Sequence, residues 1–186
     1  GDVYKRQVRS RLDMDELVSE DAKENLHYFR TDAIRIALRG NRKGKLNIYA
    51  THDHDEANPA HEQSEVDEAG TLSERVFKSK EILLLNLSEQ DPVAPYERML
   101  FNTWGNKIQT LCLLPLMSGN TMLGVLKLAQ CDEAVFTTAN LKLLRQIAER
   151  ISIALDNALA YQEIHRLKER LVDENLALTE QLNNVD

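Results

Sequence analysis

The sequence predicts an α+β domain in which helices cover an antiparallel sheet, followed by one long C-terminal coiled-coil helix. Two pairs of strand-like segments are each joined by a short turn rich in Gly and polar residues. Amphipathic segments with helical spacing lie before and between these pairs. From residue 141 to the end of the chain, neither Pro nor Gly interrupts a helical pattern.

The first half of the chain is predicted to form a helix, a hairpin and a long loop. Apolar residues at helical spacing over 14–29 predict one amphipathic helix. Segments 33–39 and 46–51 alternate like strands around a charged turn that contains Gly, which predicts a hairpin. Residues 52–68 are polar, acidic and aperiodic, so we expect a loop there.

The second half is predicted to form two short helices, a strand and a second hairpin. A capping-box spacing predicts a helix over 70–80, and 81–87 has the pattern of a strand. A second short helix is expected over 96–104, after two prolines and before a closing Gly. Segments 108–116 and 121–129 flank a polar turn and are apolar on both faces. Helices are therefore expected on both faces of the sheet.

The final helix is expected to begin near Thr138 and to continue to the end of the chain. Its apolar stripe is wide up to about residue 158, which is typical of a helix packed on a sheet or on a second copy of itself. The stripe then narrows to the seam of a two-stranded coiled coil. Such a helix would be roughly 65 Å long, more than a small domain needs for its core. A passive ordered tail is the alternative, although a narrow seam of this length is poorly stable without a partner strand.

A homodimer is predicted to form through the first and last helices, and the last helix is predicted to carry signalling, with Asn175 as the polar residue that sets the register of the seam. The positions assigned to this role are Leu144, Ile151, Leu155, Ile164, Leu167, Leu171, Asn175, Leu178 and Leu182.

Composition limits the functions of this segment. The chain has 186 residues, of which 42% are hydrophobic and 28% charged, as in one globular domain with an extension. Its formal net charge of -7 argues against direct nucleic-acid binding, which needs a clustered basic face. No apolar run reaches the ~18 to 20 residues of a membrane span, and no signal peptide precedes the domain. We therefore expect a cytoplasmic chain without membrane contact.

Three segments resemble GAF domains. Residues 70–87 resemble the family's Gly-started helix and the strand after it, 111–128 its paired strands around a polar turn, and 136–158 its closing helix. The resemblance implies a GAF sensor domain over 14–158. Residues 1–13 are then an N-terminal extension whose first seven residues are unlike the rest, and 159–186 are a coiled-coil linker helix.

Four further segments resemble the second GAF domain of formate-responsive, sigma-54-dependent transcriptional activators: 45–49, 59–70, 96–101 and 160–176. In that family, GAF domains precede an ATPase domain and a DNA-binding helix-turn-helix. The resemblance implies a regulatory domain that senses formate and controls the ATPase through its last helix. The phosphate-loop motif GxxxxGK[ST] is absent. The helical pattern is still running where the chain stops, so we expect a sensor separated from its ATPase and DNA-binding domains.

A formate site needs a partly buried cation or converging N–H donors, because formate is a small carboxylate. Arg35 and Lys127 are cations in the middle of apolar strands. Since the first strand of a GAF domain pairs with the last, the resemblance places these two residues on adjacent strands. If they share a face, they could hold one anion between them. The alternative is that each reaches the rim of the sheet or pairs with a Glu of a covering helix.

Further candidates lie on the two short helices, because GAF ligands usually bind under them. Arg75, Tyr96, Arg98 and Trp104 could reach such a site. Thr71 lies at the N-terminus of the first short helix, where an anion can bind. Packing in the core or on the surface is the alternative for each residue.

Metal, cofactor and catalytic roles are not predicted. His52, Asp53, His54, Asp55 and His61 are unevenly spaced in an acidic loop, which favours a solvated loop over a metal site. No Cys lies in a loop where it could tether a chromophore, and no isolated His suits a haem.

An enzyme of the same fold, such as a free-methionine sulfoxide reductase, would need reactive cysteines in loops. Cys112 and Cys131 lie in or at the end of strands and are expected to be buried thiols. The remaining alternative to a sensor is a ligand-free GAF module that serves for dimerisation and spacing.

Overall fold

The computed structural model describes residues 12–50, 64–87, 92–101, 106–131 and 137–184. Helices and strands occur in groups along the chain, as in an α+β domain. The elements are α1 (Met14–Leu17), α2 (Glu20–Tyr28), β1 (Ala33–Arg39), β2 (Lys45–Ala50), β3 (Ser64–Asp67), α3 (Leu72–Ser79), β4 (Leu83–Asn86), α4 (Ala94–Met99), β5 (Thr110–Ser118), β6 (Thr121–Gln130) and α5 (Thr138–Asn183).

The strands form one six-stranded sheet in the order β3-β2-β1-β6-β5-β4. Each strand is antiparallel to its neighbours. The first strand therefore pairs with the last at the centre of the sheet, in a register that runs from Ala33 opposite Ala129 to Leu38 opposite Gly124. This pairing is the one that the GAF resemblance implied.

Apolar cores cover both faces of the sheet, as the second hairpin predicted. On one face, residues of α1, α2 and the first half of α5 pack on alternate side chains of β1, β5 and β6. On the other face, α3 and α4 pack on the intervening side chains. Ile34 and Ile36 of β1 belong to the first core, whereas Ala33 and Ala37 belong to the second. Because side chains alternate along a strand, Arg35 points to the face of α3 and α4.

Two element boundaries in the first half differ from the prediction. The expected first helix is two helices, because the Ser19 hydroxyl caps α2 by accepting a hydrogen bond from the Ala22 N–H at 3.2 Å. Strand β3 lies within the segment predicted to be a loop. It is an edge strand whose side chains are mostly exposed and charged, so it shows no apolar alternation.

The short helix α4 also differs from the prediction. It begins two residues earlier than expected, with Pro95 in its first turn, where the missing N–H costs no helical hydrogen bond. It ends at Met99. Residues 102–105, which include the predicted end of this helix, lie outside the described part of the chain.

The long helix α5 agrees with the prediction. It has 46 residues, which correspond to about 69 Å, and its N-terminus is capped by Thr137. Leu144, Ile151 and Leu155 are buried in the core of their own domain. These three residues were assigned to dimerisation, but they already pack against the sheet. The later seam residues are exposed. In the described part of the chain, no helix carries an apolar stretch of the length that a bilayer requires.

The close contact between β1 and β6 predicts that Gly124→Ala destabilises the fold. A Cβ atom at this position would lie 2.4 Å from Leu38 Cδ2 and 2.7 Å from the Ala37 carbonyl oxygen. Because that oxygen belongs to the backbone, we expect the free energy of unfolding in urea to fall by about 1–3 kcal/mol. The control is Gly119→Asn, in a turn with φ +59° and open space around the Cβ position. Asn tolerates this conformation. Equal unfolding midpoints for Gly124→Ala and the unchanged protein would contradict the prediction.

Candidate ligand-binding site

Arg35 and Lys127 lie directly opposite each other in the β1–β6 register. Their side chains share the sheet face covered by α3 and α4. The exposed fraction is 2% for Arg35 and 0% for Lys127. The two predicted cations are therefore neighbours on one face, and neither reaches the rim of the sheet.

Lys127 forms an ion pair with Glu97 of α4. The distance between Lys127 Nζ and Glu97 Oε2 is 2.8 Å, and both side chains are fully buried. The other carboxylate oxygen, Oε1, accepts a hydrogen bond from the Leu72 N–H at 3.0 Å. Leu72 is the first residue of α3, so this carboxylate also lies at a helix N-terminus. The pairing of Lys127 with a Glu of a covering helix was the alternative left open by the sequence.

Sequence reasoning missed Glu97. A signal was present, because Glu97, Leu100 and Phe101 are spaced as one face of a helix, and all three are buried. An acidic residue on an apolar helical face suggests a buried cationic partner. The sequence could not reveal that this partner is Lys127, 30 residues away on β6.

Arg35 is held against the C-terminal end of α4. Its Nη1 donates a hydrogen bond to the Ile34 carbonyl oxygen at 2.9 Å, and its Nε donates to the Leu100 carbonyl oxygen at 3.4 Å. Its Cζ lies 5.2 Å from the centre of the Phe101 ring, within the range of a cation–π contact. These contacts fix the plane of the guanidinium.

A pocket of about 200 Å³ lies beside Arg35, between β1, β2, β3 and the end of α4. Arg35 is the charged residue in its lining, and most of the others are apolar. The lining residues are Arg35, Ile48, Ala50, Ser64, Val66, Met99 and Leu100. Pockets for drug-sized molecules usually enclose about 300–1,000 Å³, so this one suits a smaller ligand.

The candidates on α3 lie outside this pocket. Thr71 is buried and caps α3, since its hydroxyl accepts a hydrogen bond from the Glu74 N–H at 3.1 Å and donates to the Glu68 carbonyl oxygen at 2.7 Å. Arg75 is exposed on α3. Neither residue belongs to the pocket lining. Trp104 lies outside the described residues.

The candidates on α4 also lie outside the pocket lining. Tyr96 is half-buried, and burial raises its pKa, with smaller contributions from the negative charges of Glu97 and Asp67. Arg98 is half-buried, and its Nη1 donates a hydrogen bond to the Asn106 carbonyl oxygen at 3.2 Å. Of the six predicted ligand residues, Arg35 alone is among those that line the described pocket.

Metal and thiol chemistry have little basis in the described residues. The histidines and aspartates of the acidic loop fall outside them, and within them no three His, Cys, Asp or Glu side chains group as metal ligands. Burial raises the pKa of the Cys112 thiol to about 12, so the nucleophilic thiolate is scarcely populated at neutral pH.

An antiparallel sheet with helices on both faces is a GAF-like fold, and residues 13–155 match the family model of the GAF domain. The chain belongs to the GAF domain family. It is 83% identical over 179 residues to the formate hydrogenlyase transcriptional activator of Salmonella typhimurium strain SL1344. It is 80% identical over 179 residues to the formate hydrogenlyase transcriptional activator FhlA of Escherichia coli K12.

Each match covers 96% of this chain and 26% of the relative, so the chain spans about a quarter of the length of these relatives. Both relatives are named as transcriptional activators, which agrees with the expectation of a regulatory and not an enzymatic domain. Among solved structures, the chain resembles the GAF domain of a phosphoenolpyruvate-protein phosphotransferase from Coxiella burnetii. The TM-score is 0.60 at 12% identity, covering 86% of this chain and 92% of the other, which shows a shared fold.

The buried ion pair predicts that Lys127→Met is strongly destabilising, because it leaves the Glu97 carboxylate buried without its ammonium partner. Loss of one partner of a buried pair typically costs about 3–5 kcal/mol. We expect a fall of that size in the free energy of unfolding, measured in urea. The double variant Lys127→Met, Glu97→Gln should recover much of the loss, since no charge remains buried there. If the double variant is no more stable than Lys127→Met, this explanation is wrong.

Proposed function

We propose that this chain is the ligand-sensing GAF domain of a sigma-54-dependent transcriptional activator. It binds formate beside Arg35 and controls an ATPase domain of the parent protein through α5. The observation that carries the proposal is a buried arginine in the lining of a small, mostly apolar pocket. The relatives are named as transcriptional activators of formate hydrogenlyase, and this name favours formate as the ligand.

The chemistry of Arg35 suits a carboxylate. A guanidinium is always charged and has five N–H donors in a planar fork that matches the two oxygens of a carboxylate. Its bonds to the Ile34 and Leu100 carbonyl oxygens orient this fork before any ligand arrives. Apolar walls from Ile48 and Val66 lower the local dielectric constant and strengthen the attraction.

The other predicted ligand residues do not contact the ligand in this proposal. Lys127 bonds Glu97 and not the ligand. Thr71 caps α3, and Arg75, Tyr96 and Arg98 lie beyond the pocket lining. No cofactor is needed, because binding a carboxylate requires only the charge and donors that the chain itself provides.

Strand β1 has one face at the pocket and the other face in the core that contains α5. Arg35 faces the pocket, whereas Ile34 and Ile36, its neighbours on β1, belong to the core that contains Leu144 and Ile151 of α5. A shift of β1 on ligand binding would therefore change the packing of α5. A continuous helix transmits such a shift to its far end, where we place the ATPase domain.

We also propose that a second copy of this chain covers the exposed seam of α5. Tyr161, Ile164, Leu171, Leu178 and Leu182 are all exposed, by 51–76%. Their spacing repeats every seven residues, as in a coiled coil. Position a is occupied by Tyr161, Lys168, Asn175 and Leu182, and position d by Ile164, Leu171 and Leu178.

The residues beside this seam favour a parallel pair in register. In a parallel coiled coil, position g of one helix meets position e of the other, five residues further along. Leu167 and Val172 occupy these two positions and are both exposed, so the pair would bury them together. Asn175 would face its own copy, where the two amides can bond each other. In an antiparallel pair, Asn175 would face an apolar residue at position d and lose that bond.

The same proposal includes the other domains of the parent protein and its location in the cell. The ATPase and the DNA-binding helix-turn-helix belong to other parts of the parent chain, in the cytoplasm. This acidic segment itself contacts neither nucleic acid nor membrane, given its formal net charge of -7.

One observation favours the alternative of a ligand-free module for dimerisation and spacing. The carboxylate of Glu97 already bonds Lys127 and the N-terminus of α3, two groups that could otherwise hold an external anion. In that case the domain would keep its dimer seam and respond to no small carboxylate.

Formate should stabilise the unchanged protein and fail to stabilise Arg35→Met. A ligand that binds the folded state alone adds about 2.7 kcal/mol at one hundred times its Kd. The measurement is thermal unfolding with and without formate, together with calorimetric titration, with acetate and nitrate compared. Arg35→Lys keeps the charge but loses the fork, so its affinity should be intermediate. The exposed Arg75→Met is the control and should bind like the unchanged protein. If the unchanged protein gives no heat and no shift with formate, the spacer alternative replaces sensing.

Asn175→Cys should form a disulfide-linked dimer under mild oxidation, because a parallel pair in register places the two introduced thiols face to face. The control is Glu180→Cys, at position f on the outer side of the seam, which should link far more slowly. The products are separated on a non-reducing gel, and sedimentation of the unlinked protein reports the dimer. Equal linking at both positions, or a monomer at high concentration, would exclude the parallel seam.

A further inference from the structure

We infer that Glu97 is a positioning residue for the pocket: its carboxylate fixes α4, and α4 supplies the wall that holds Arg35. This inference rests on the proposed function, because it concerns the affinity of the same pocket for a small carboxylate.

Helix α4 depends on tertiary contacts for its position. It has six residues, far fewer than a helix needs for stability of its own. No side chain caps its N-terminus. Besides Ala94, three buried residues, Glu97 of α4 and the following Leu100 and Phe101, attach this segment to the rest of the domain.

Of these three side chains, that of Glu97 forms hydrogen bonds and so makes directional contacts. Apolar contacts such as those of Leu100 and Phe101 allow a helix to slide or rotate, because the hydrophobic effect has no direction. The Glu97 carboxylate instead bonds two elements at once, β6 through the Lys127 ammonium at 2.8 Å and α3 through the Leu72 N–H at 3.0 Å. Both bonds are charge-assisted and depend on distance and angle. They fix where α4 lies over the sheet.

The position of α4 determines the geometry at Arg35. The residues immediately after Glu97 form the pocket wall: Met99 and Leu100 line it, and the Leu100 carbonyl oxygen accepts the hydrogen bond from Arg35 Nε. The Phe101 ring lies over the guanidinium. If α4 moves, the carbonyl and the ring that orient the fork move with it, and the pre-organisation that favours carboxylate binding is lost.

Glu97 also separates the roles of the two central cations. Arg35 and Lys127 are directly opposite, and like charges in that arrangement repel each other. The carboxylate neutralises Lys127 and leaves the cation of the pocket lining to bind the ligand. Lys127 on β6 therefore anchors α4, and Arg35 on β1 contacts the ligand.

The decisive experiment compares formate affinity in the full chain and in the double variant Glu97→Gln, Lys127→Met. This variant removes the ion pair that anchors α4 to β6 and keeps the summed charge of the pair at zero, so it separates positioning from the electrostatic field. We expect the Kd for formate, measured calorimetrically well below the unfolding temperature, to rise about tenfold or more. The matched control replaces another ion pair on β1, Arg39→Met with Glu68→Gln, and should leave the Kd unchanged.

The single variant Glu97→Gln tests whether loss of the carboxylate weakens or strengthens formate binding. If Glu97 acted only through its charge, removing it would strengthen formate binding, because Lys127 would be left uncompensated near the pocket. Positioning predicts weaker binding. A double-variant Kd within about threefold of the unchanged protein, or tighter binding by Glu97→Gln, would overturn the inference. Absence of formate binding by the unchanged protein would instead refute the proposed function, so the two failures are distinguishable.

Discussion

The pairing of β1 with β6 at the centre of the sheet is the constraint on which the other features depend. It joins the first and last strands of the domain, and both are covered on both faces. A charged side chain at this centre cannot reach water along the sheet, so its partner must come from the covering layer. Lys127 and Arg35 occupy that centre, and α4 supplies the Glu97 carboxylate while the residue after its end supplies the Leu100 carbonyl oxygen.

In the proposed function, the central strands separate the ligand from the signalling helix by the thickness of a single sheet. Because side chains alternate along β1, Arg35 belongs to the pocket face while its neighbours Ile34 and Ile36 belong to the face of α5. A ligand bound on one side would then be coupled to the helix on the other side by the packing of one strand. Close packing at Gly124 leaves that strand little freedom to move independently of β6.

Helix α5 has two parts with different physical requirements. Its first half is stabilised by the sheet of its own chain, through side chains such as Leu144 and Leu155. Its second half has no such support among the described residues, and its exposed seam carries polar residues at Lys168 and Asn175. Polar residues in a seam lower its stability but specify its register. A helix pair with a defined register and only moderate stability suits the proposed signalling role, in which the packing of the pair must change.

The sequence by itself determined the features that depend on local spacing. The alternation in β1, the apolar faces of β5 and β6, the capping oxygens of α3 and α5 and the length of the last helix were all visible without coordinates, since each is a period or a cap within a few residues. Arg35 and Lys127 were recognisable because a cation stands out in an apolar strand. Local pattern failed at β3, where an exposed edge strand has no apolar alternation, and at Ser19, whose cap divides one amphipathic pattern into two helices.

Only the tertiary structure decided which buried groups meet. Nothing in the sequence near Lys127 indicates Glu97, and nothing near Arg35 indicates the Leu100 carbonyl oxygen, 65 residues away. An unpaired buried charge destabilises the fold, so the fold must bring a compatible group within reach of it. Long-range packing determines which group that is. Long-range packing also determines where apolar residues are buried. The spacing of a dimer seam is shared by Leu144, Ile151 and Leu155, yet these residues pack within their own domain.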